Sequence, residues 1–227
     1  MERGRLVLAL DLKGGDLLRR GKEILGLLHE YLVGVKLNLH LIIPLGLDEL
    51  KELNHLSHEL GLFSIADLKL NDVGSTNSVA VERLWEAGFD AVIVNPIAGF
   101  EDGLDVVVER AHEAGKGVIG LAYMSHKGAR EFYEADVGGK KLYRLFLERA
   151  RDWGLDGVVV GAARLEVIRE AKGMGLTVFS PGAITQGGDP FKAVEAGADF
   201  IIIGRAILNS RDPKEEARRI SSQLAGT

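Results

Sequence analysis

Short runs of apolar, often β-branched residues alternate with longer amphipathic segments along the whole chain. The segments between these runs carry apolar residues at spacings of three and four, which predicts helices, as in residues 17–32 and 78–89. Glycine closes several helical segments just before the next apolar run, as a helix C-terminus requires. Eight runs have the length and composition of buried strands: residues 5–11, 33–39, 62–68, 89–95, 116–122, 156–162, 176–181 and 199–204.

Eight strands separated by helices predict parallel pairing with helical crossovers. A (β/α)8 barrel typically needs roughly 200–250 residues, and the chain has 227. An open doubly wound sheet is the alternative. Such a sheet usually has a G-x-G-x-x-G turn after its first strand, whereas the turn here reads DLKGGD. We therefore predict an α/β fold, a single-domain (β/α)8 TIM barrel over residues 1–227.

Composition narrows the classes of partner. A formal net charge of −5 gives no basic field for nucleic acid or an anionic membrane, so an anionic ligand needs a local site. The sequence has no cysteine, which excludes disulfides, thiolate catalysis and cysteine-ligated zinc. The N-terminal apolar run LVLAL is too short for a signal or membrane helix. We expect a cytoplasmic protein with no nucleic-acid or membrane partner.

The segment IADLKLND places three ionisable residues where the third apolar strand ends, at Asp67, Lys69 and Asp72. In a barrel the active site lies at this end of the strands. Residues two apart on a strand point the same way, so Asp67 and Lys69 can share the barrel mouth. Asp72 follows on the loop and could approach the lysine of its own chain or of a neighbouring subunit. A lysine between carboxylates keeps its proton and is a positioned acid. The alternative is a structural ion-pair network, which desolvation makes a weak source of stability.

A second candidate site is formed by SPGAITQGGDP (180–190) and IIIGRAI (201–207). These segments follow the seventh and eighth predicted strands, the usual phosphate site of such barrels. Glycines let backbone N–H groups approach a phosphate closely. Arg205 is predicted to open the last helix and to add a guanidinium to the positive end of that helix.

Other polar residues at strand ends also allow structural explanations. Asp11 alone could cap the helix that begins near residue 16, and Lys36 could extend from a strand end to solvent. Asn95 precedes a proline and is interpreted as a turn residue. Ser125 and His126 resemble a hydrolase pair, but adjacent residues seldom face each other, so we assign no triad.

Six segments together resemble one known family: LALD, GVK, DLKLNDVGSTN, MSHKGA, SPGAITQGGDP and IIIGRAI, in this order and spacing. They closely resemble the orotidine 5′-monophosphate decarboxylases, especially the short archaeal form, over essentially the whole chain. The resemblance implies a homodimeric barrel with a shared active site. Such a barrel converts orotidine 5′-monophosphate into UMP and carbon dioxide without a metal or organic cofactor. VNPIAG after the fourth strand and the GAIT lead-in depart from the family pattern.

The resemblance also implies roles for individual residues. Lys69 would donate a proton to carbon 6 of the pyrimidine, Asp67 would lie beside the departing carboxylate, and Asp72 of the other subunit would contact the ribose. The remaining expected positions are Asp11, Lys36 and Thr76 at the ribose hydroxyls or in the lysine network, Ser125 at the pyrimidine edge, and Pro181, Gln186, Gly204 and Arg205 around the phosphate.

This chemistry suits a fixed ammonium group. Loss of carbon dioxide leaves an in-plane electron pair at carbon 6, which a cation can stabilise and then protonate. One alternative is a sugar-phosphate decarboxylase or hexulose-phosphate synthase of the same superfamily, whose similar array works with magnesium. Another is a non-catalytic barrel that binds a phosphorylated metabolite. MSHKGA and QGGD argue against the first alternative, and the pair Asp67–Lys69, which binding alone does not need, argues against the second.

Overall fold

The computed structural model describes residues 4–226. Its strands are β1 (Leu6–Ala9), β2 (Gly34–Asn38), β3 (Phe63–Leu70), β4 (Ala91–Val94), β5 (Gly117–Tyr123), β6 (Asp136–Val137), β7 (Lys140–Lys141), β8 (Gly157–Val160), β9 (Val178–Pro181) and β10 (Phe200–Ile203). Eight of them close into a parallel barrel in the order β1-β10-β9-β8-β5-β4-β3-β2, and β6 and β7 form a separate antiparallel hairpin. Each predicted strand segment overlaps one barrel strand, so the (β/α)8 prediction is confirmed; β3 and β5 continue past the predicted ends at residues 68 and 122, to Leu70 and Tyr123. The domain bounds 1–227 stay a prediction, because both ends lie outside the described residues.

Helices connect the strands on the outside of the barrel. They are α1 (Leu17–Leu28), α2 (Leu39–Ile42), α3 (Leu47–Glu59), α4 (Gly74–Glu86), α5 (Asp105–Glu113), α6 (Arg130–Tyr133), α7 (Leu142–Asp152), α8 (Leu165–Gly173), α9 (Pro190–Glu195), α10 (Arg205–Leu208) and α11 (Pro213–Ala225). The helix predicted over residues 17–32 ends earlier, at Leu28, and continues as a 3₁₀ turn, His29–Tyr31.

Two predicted helix starts also differ from the structure, for identifiable reasons. Helix α4 begins at Gly74 rather than at residue 78, because the buried Asn77 side chain donates to the carbonyl oxygens of Asp72 (2.6 Å) and Gly103 (3.0 Å) and fixes the first turn. Arg205 opens the four-residue helix α10, so the prediction that it opens the last helix is wrong. The last helix is α11, whose first turn is capped by the Asp212 carboxylate.

Aromatic rings fill the N-terminal end of the barrel. The rings of Phe179 and Phe200 stack with their centroids 4.8 Å apart, and Phe63 meets Phe200 edge-on at 5.7 Å. Gly34 leaves room for this cluster, because a Cβ atom there would lie 2.4 Å from the Phe63 ring. With this end filled, the opposite end of the barrel holds the candidate site.

A repeated Gly-x-Asp segment precedes strands β4, β8 and β10 and ties each strand to its neighbour. The carboxylates of Asp90, Asp156 and Asp199 accept the backbone N–H groups of Ser64, Val118 and Val178 at 2.8, 2.7 and 2.9 Å. A basic side chain also contacts each carboxylate. Asp90 is contacted by His58 at 2.8 Å and Lys116 at 3.3 Å, Asp156 by His112 at 3.4 Å, and Asp199 by Lys172 at 2.7 Å. Charge-assisted bonds of this kind are among the stronger hydrogen bonds. They hold the register that sets the height of the strand ends at the site.

Candidate active site

A cavity of about 270 Å³ opens where the barrel strands end. All of the predicted site residues except Asp72 and Thr76 line it: Asp11, Lys36, Asp67, Lys69, Ser125, Pro181, Gln186, Gly204 and Arg205. The structure therefore brings most of the predicted residues together around one cavity, and their roles in a site stay a prediction.

Two lysines bind one buried carboxylate at the base of this cavity. Lys36 Nζ donates to Asp67 Oδ2 at 2.7 Å, and Lys69 Nζ donates to Asp67 Oδ1 at 2.6 Å. The side chains of Lys36 and Asp67 are 7% and 9% exposed, whereas that of Lys69 is 36% exposed. The explanation of Lys36 as a strand-end lysine that reaches solvent is therefore wrong. Lys69 is the most exposed member of this triad.

Charge keeps Asp67 ionised despite its burial. Burial favours the neutral carboxyl group and by itself would raise the pKa of Asp67. The adjacent ammonium groups of Lys36 and Lys69 outweigh this effect and hold the pKa of Asp67 below its ordinary value. The base of the cavity is thus a fixed arrangement of one anion between two cations.

The backbone at Lys69 departs from the regular strand that the sequence predicted. Its φ angle is +51°, and the pairing of β3 with β4 shifts register between Ala66 and Leu70. The left-handed region costs a non-glycine residue roughly 1–2 kcal/mol. The side chain of Lys69 therefore reaches Asp67 because the strand is irregular at this point. The alternation of side chains along a regular strand, which the sequence predicted, does not explain the contact.

Asp11 lies on the opposite side of strand β2 from Asp67 in the barrel order and has its own partner. Asn38 Nδ2 donates to Asp11 Oδ1 at 2.7 Å. The cap of helix α1 is Asp16, whose side chain accepts from the Arg19 N–H, so the interpretation of Asp11 as that cap is wrong. Asn38 is not among the residues predicted from the sequence. Its place at a strand end, two residues after Lys36, was the available signal.

Close backbone approaches shape the wall formed by the loops after β5, β9 and β10. A Cβ atom at Gly182 would lie 2.6 Å from both Ser125 Cβ and Gln186 Oε1, and one at Gly204 would lie 2.7 Å from the Ala9 carbonyl oxygen. These glycines let the loop after β9 meet Ser125 and let β10 pass close to β1.

Arg205 stands at the same wall. Its Nη2 atom lies 3.4 Å from the Thr185 hydroxyl oxygen, and both residues line the cavity. Ile184, in the unusual GAIT segment, has a φ angle of +67°. Sequence reasoning also missed Thr185 as a lining residue, and it discounted His126, which lines the cavity beside Ser125.

Asp72 and Thr76 do not line the cavity within a single chain. Both are exposed. Asp72 Oδ1 accepts the Val73 N–H at 2.7 Å, and the Asp72 backbone is held by Asn77. Asn95 behaves as predicted, because its side chain accepts the Ile97 N–H in a short 3₁₀ turn.

Comparison with known proteins identifies the family. Residues 4–220 match the sequence model described as "Orotidine 5'-phosphate decarboxylase / HUMPS family". The chain belongs to this family. The resemblance identified from its motifs is therefore confirmed.

Members of the orotidine 5′-phosphate decarboxylase / HUMPS family match the chain over nearly its full length. The orotidine 5′-phosphate decarboxylase of Pyrococcus abyssi is 38% identical over 97% of this chain and 99% of its own. The orotidine 5′-phosphate decarboxylase of Thermococcus kodakarensis is 37% identical over 99% of this chain and 98% of its own.

Solved structures of the family agree with the fold. The orotidine 5′-phosphate decarboxylase of Pyrococcus horikoshii OT3 is 34% identical, with a TM-score of 0.79 over 98% of this chain and 100% of its own. The Methanocaldococcus jannaschii orotidine 5′-monophosphate decarboxylase, complexed with the inhibitor BMP, is 30% identical, with a TM-score of 0.85 over 97% and 98%.

Among residues 4–226, no three His, Asp or Glu side chains are grouped in a way that could hold a metal ion. The absence of a metal or organic cofactor stays a prediction. No helix within the same residues is long and apolar enough to cross a bilayer.

Proposed function

We propose that this protein decarboxylates orotidine 5′-monophosphate to UMP in pyrimidine biosynthesis. The observation that carries the proposal is the Lys36–Asp67–Lys69 triad on one side of a cavity whose other side is formed by the glycine-rich loop and Arg205. Strands β3 and β9 stand four places apart in the eight-stranded barrel. A nucleotide could therefore place its phosphate at the loop after β9, which Arg205 contacts through Thr185, and its base at Lys69.

Lys69 is the proposed proton donor. With the base seated over the triad, the substrate carboxylate lies beside Asp67, and carbon 6 lies beside the Lys69 ammonium. Breaking the bond from carbon 6 to the carboxylate releases carbon dioxide and leaves the electron pair on carbon 6. The ammonium stabilises this charge as it develops and then transfers a proton to carbon 6. Asp67 and Lys36 hold the donor in place.

The phosphate end supplies binding energy away from the reacting carbon. Arg205 and Gln186 are the proposed phosphate partners, together with the backbone near Pro181 and Gly204. Ser125 is the proposed contact to the pyrimidine edge. Energy from these distant contacts can order the site before the bond breaks.

A magnesium-dependent sugar-phosphate decarboxylase or hexulose-phosphate synthase fits the triad less well. Magnesium requires oxygen ligands, and both Asp67 oxygens already accept from ammonium groups at 2.7 and 2.6 Å. Using Asp67 as a metal ligand would mean displacing at least one of these bonds.

The test is turnover of orotidine 5′-monophosphate, followed by loss of absorbance with EDTA present. We expect full activity in EDTA. Lys69→Ala should abolish turnover and leave the dissociation constant of UMP within about threefold, because the proposed work of the lysine is on charge that develops in the transition state. Lys51→Ala, on the exposed surface of α3, is the control. Activity that collapses in EDTA and returns with magnesium, or a fully active Lys69→Ala, would disprove the proposal.

We further propose a homodimer in which Asp72 and Thr76 complete the site of the other subunit. Both residues are exposed and do not line the cavity of their own chain. Exposed apolar side chains follow three neighbouring strands near them, a face suited to a second copy: Leu39, Ile43, Leu47, Val73, Val79 and Ile97. A cytoplasmic location is retained as a prediction.

Mixed dimers test this arrangement. Lys69→Ala and Asp72→Ala chains should each be nearly inactive. Equal mixing makes about half of the dimers mixed, and each mixed dimer has one intact site, so about a quarter of all sites should recover. Lys69→Ala mixed with Asp67→Asn is the control and should recover nothing, because both residues act within one chain. Absence of recovery in proven Lys69→Ala/Asp72→Ala heterodimers would refute the shared site.

A further inference from the structure

Asn38, the last residue of β2, connects the surface of the barrel mouth to a carboxylate in the cavity. Its Oδ1 atom accepts from the His40 backbone N–H at 2.9 Å and lies 2.6 Å from His40 Nδ1. Its Nδ2 atom donates to Asp11 Oδ1 at 2.7 Å. The Asn38 side chain also caps helix α2 through the first of these bonds.

The direction of each bond is fixed by chemistry. An ionised carboxylate only accepts hydrogen bonds, so Asp11 needs the amide nitrogen of Asn38 to face it. The amide oxygen then faces His40, whose Nδ1 atom must carry the proton. The side chain of Asn38 is thereby held at both ends and has no freedom to turn.

Within residues 4–226, this contact engages one Asp11 oxygen and leaves Oδ2 available to a ligand. Asp11 Oδ2 faces the position of Gly204, where a Cβ atom would lie only 3.2 Å away. Because glycine stands there, the space beside Oδ2 belongs to the cavity, which both residues line. Asn38 thus fixes the rotation of the Asp11 carboxylate and presents Oδ2 to the cavity as an acceptor.

We infer that Asn38 is a positioning residue that makes Asp11 selective for a sugar carrying hydroxyl groups. The inference rests on the proposed function only in that a nucleotide occupies the cavity. Asp11 is half-buried, and an acceptor that is already oriented binds a hydroxyl donor without further ordering. A sugar that lacks the donor leaves that acceptor unpaired, which is the costly case for a polar site.

Two variants separate this role from the helix cap. Asn38→Asp and Asn38→Ser both keep a side-chain oxygen suited to capping α2. An ionised aspartate cannot donate to Asp11, and the serine hydroxyl is too short to reach it. The variants differ in charge but share the loss of the donor. Ligand pairs then report on Asp11: UMP and 2′,3′-dideoxyuridine 5′-monophosphate differ only in the two sugar hydroxyls.

The measurements are dissociation constants for both ligands and kcat and KM for orotidine 5′-monophosphate. Wild type should bind UMP more tightly than the dideoxy analogue. Each variant should reduce the ratio of the two dissociation constants by about fivefold, the size expected for one hydrogen bond. The affinity for UMP should fall, and the affinity for the dideoxy ligand should stay unchanged. With orotidine 5′-monophosphate as substrate, KM should rise by a larger factor than kcat falls. In an Asp11→Ala background, Asn38→Ser should have no further effect on the ratio. His40→Ala should have a smaller effect, because the backbone N–H at position 40 still holds Asn38.

Equal weakening of both ligands would show a merely structural role and overturn the inference. A wild-type ratio in Asn38→Ser would overturn it as well, and this variant decides the matter if Asn38→Asp does not fold. Failure of the proposed function gives a different result: wild type would prefer UMP to its dideoxy analogue, yet would not turn over orotidine 5′-monophosphate.

Discussion

Replacing Lys36 with methionine removes one of the two cations that hold Asp67 and should destabilise the fold strongly. Methionine keeps the length of the side chain in a position that is 7% exposed. Asp67, itself 9% exposed, would keep only Lys69, which is 36% exposed and partly hydrated. The carboxylate would then be buried with half of its charge-assisted bonds.

The size of the effect follows from that burial. Breaking a buried ion pair by removing one partner typically costs about 3–5 kcal/mol. Because Lys69 remains, we expect the free energy of unfolding at pH 7 to fall by about 2–3 kcal/mol. Lys22→Met is the matched control, because Lys22 and Glu52 form a more exposed pair, 33% and 55% exposed. Such surface pairs contribute about 0–1 kcal/mol.

The loss should also depend on pH. The folded pKa of Asp67 lies below its ordinary value, so Asp67 stabilises wild type above the unfolded pKa, and that contribution is lost as pH falls through the folded pKa. Without Lys36 the folded pKa rises, because burial is opposed by one ammonium instead of two. The difference in stability between wild type and Lys36→Met should therefore be largest near neutral pH and should shrink in acid.

Urea unfolding with linear extrapolation at neutral and acid pH measures both quantities. Asp67→Asn in the Lys36→Met background should recover part of the loss, because a neutral amide needs no counter-charge. A Lys36→Met protein no less stable than Lys22→Met at pH 7 would refute the assigned ion network.

Three further outcomes follow from the same structure. Arg205→Ala should weaken UMP binding more than Gln186→Ala, as measured by calorimetric titration. Hydrogen bonds to charged groups are worth about 1.5–3 kcal/mol, and those between neutral groups about half of that. Equal losses of affinity in the two variants would contradict the phosphate assignment. Asp90→Ala should cost about 1–3 kcal/mol at pH 7. Burial by itself would raise the pKa of Asp90, but hydrogen bonds from Ser64 and His58 hold that pKa below its ordinary value. The stability lost in Asp90→Ala should therefore shrink as pH falls through the lowered pKa. Gly34→Ala should lower the melting temperature through overpacking against an aromatic ring 2.4 Å from the new Cβ. Gly26→Ala is the control and should not lower the melting temperature, because the new Cβ would meet no atom within 4 Å beyond the adjacent backbone of its own helix.

The barrel was predictable because most of its strands are short, largely apolar runs that helices cover on the outside. The short elements were not predicted. Helices α2, α6 and α10 have four residues each, too few to show a helical repeat, and the β6–β7 hairpin is built on exposed residues. All of these lie in the loops at the mouth of the barrel. There, contacts between loops rather than local periodicity decide the conformation.

The site was predictable to the extent that chemistry collects at strand ends. Asp67 and Lys69 were identified as a pair because their spacing is local. Lys36, which binds the same carboxylate, is 31 positions away from Asp67, and Asn38 and Asp11 are separated by 27. Such partners depend on which strands become neighbours. Strand β2 lies between β1 and β3, so it supplies one partner to each side.

Backbone strain at Lys69 supports a functional rather than a structural reason for the triad. A purely structural ion pair could be made from a regular strand, without a φ angle of +51°. Strain of this kind persists only where the surroundings over-determine it, and it concentrates at functional sites. Here the bond from Lys69 to Asp67, at 2.6 Å, compensates for the strained backbone and at the same time aims the ammonium at the cavity. Lys36, the more buried of the two lysines, already gives Asp67 one counter-charge. Lys69 is partly exposed and therefore adds less to the fold, and a ligand in the cavity is the better explanation of its position.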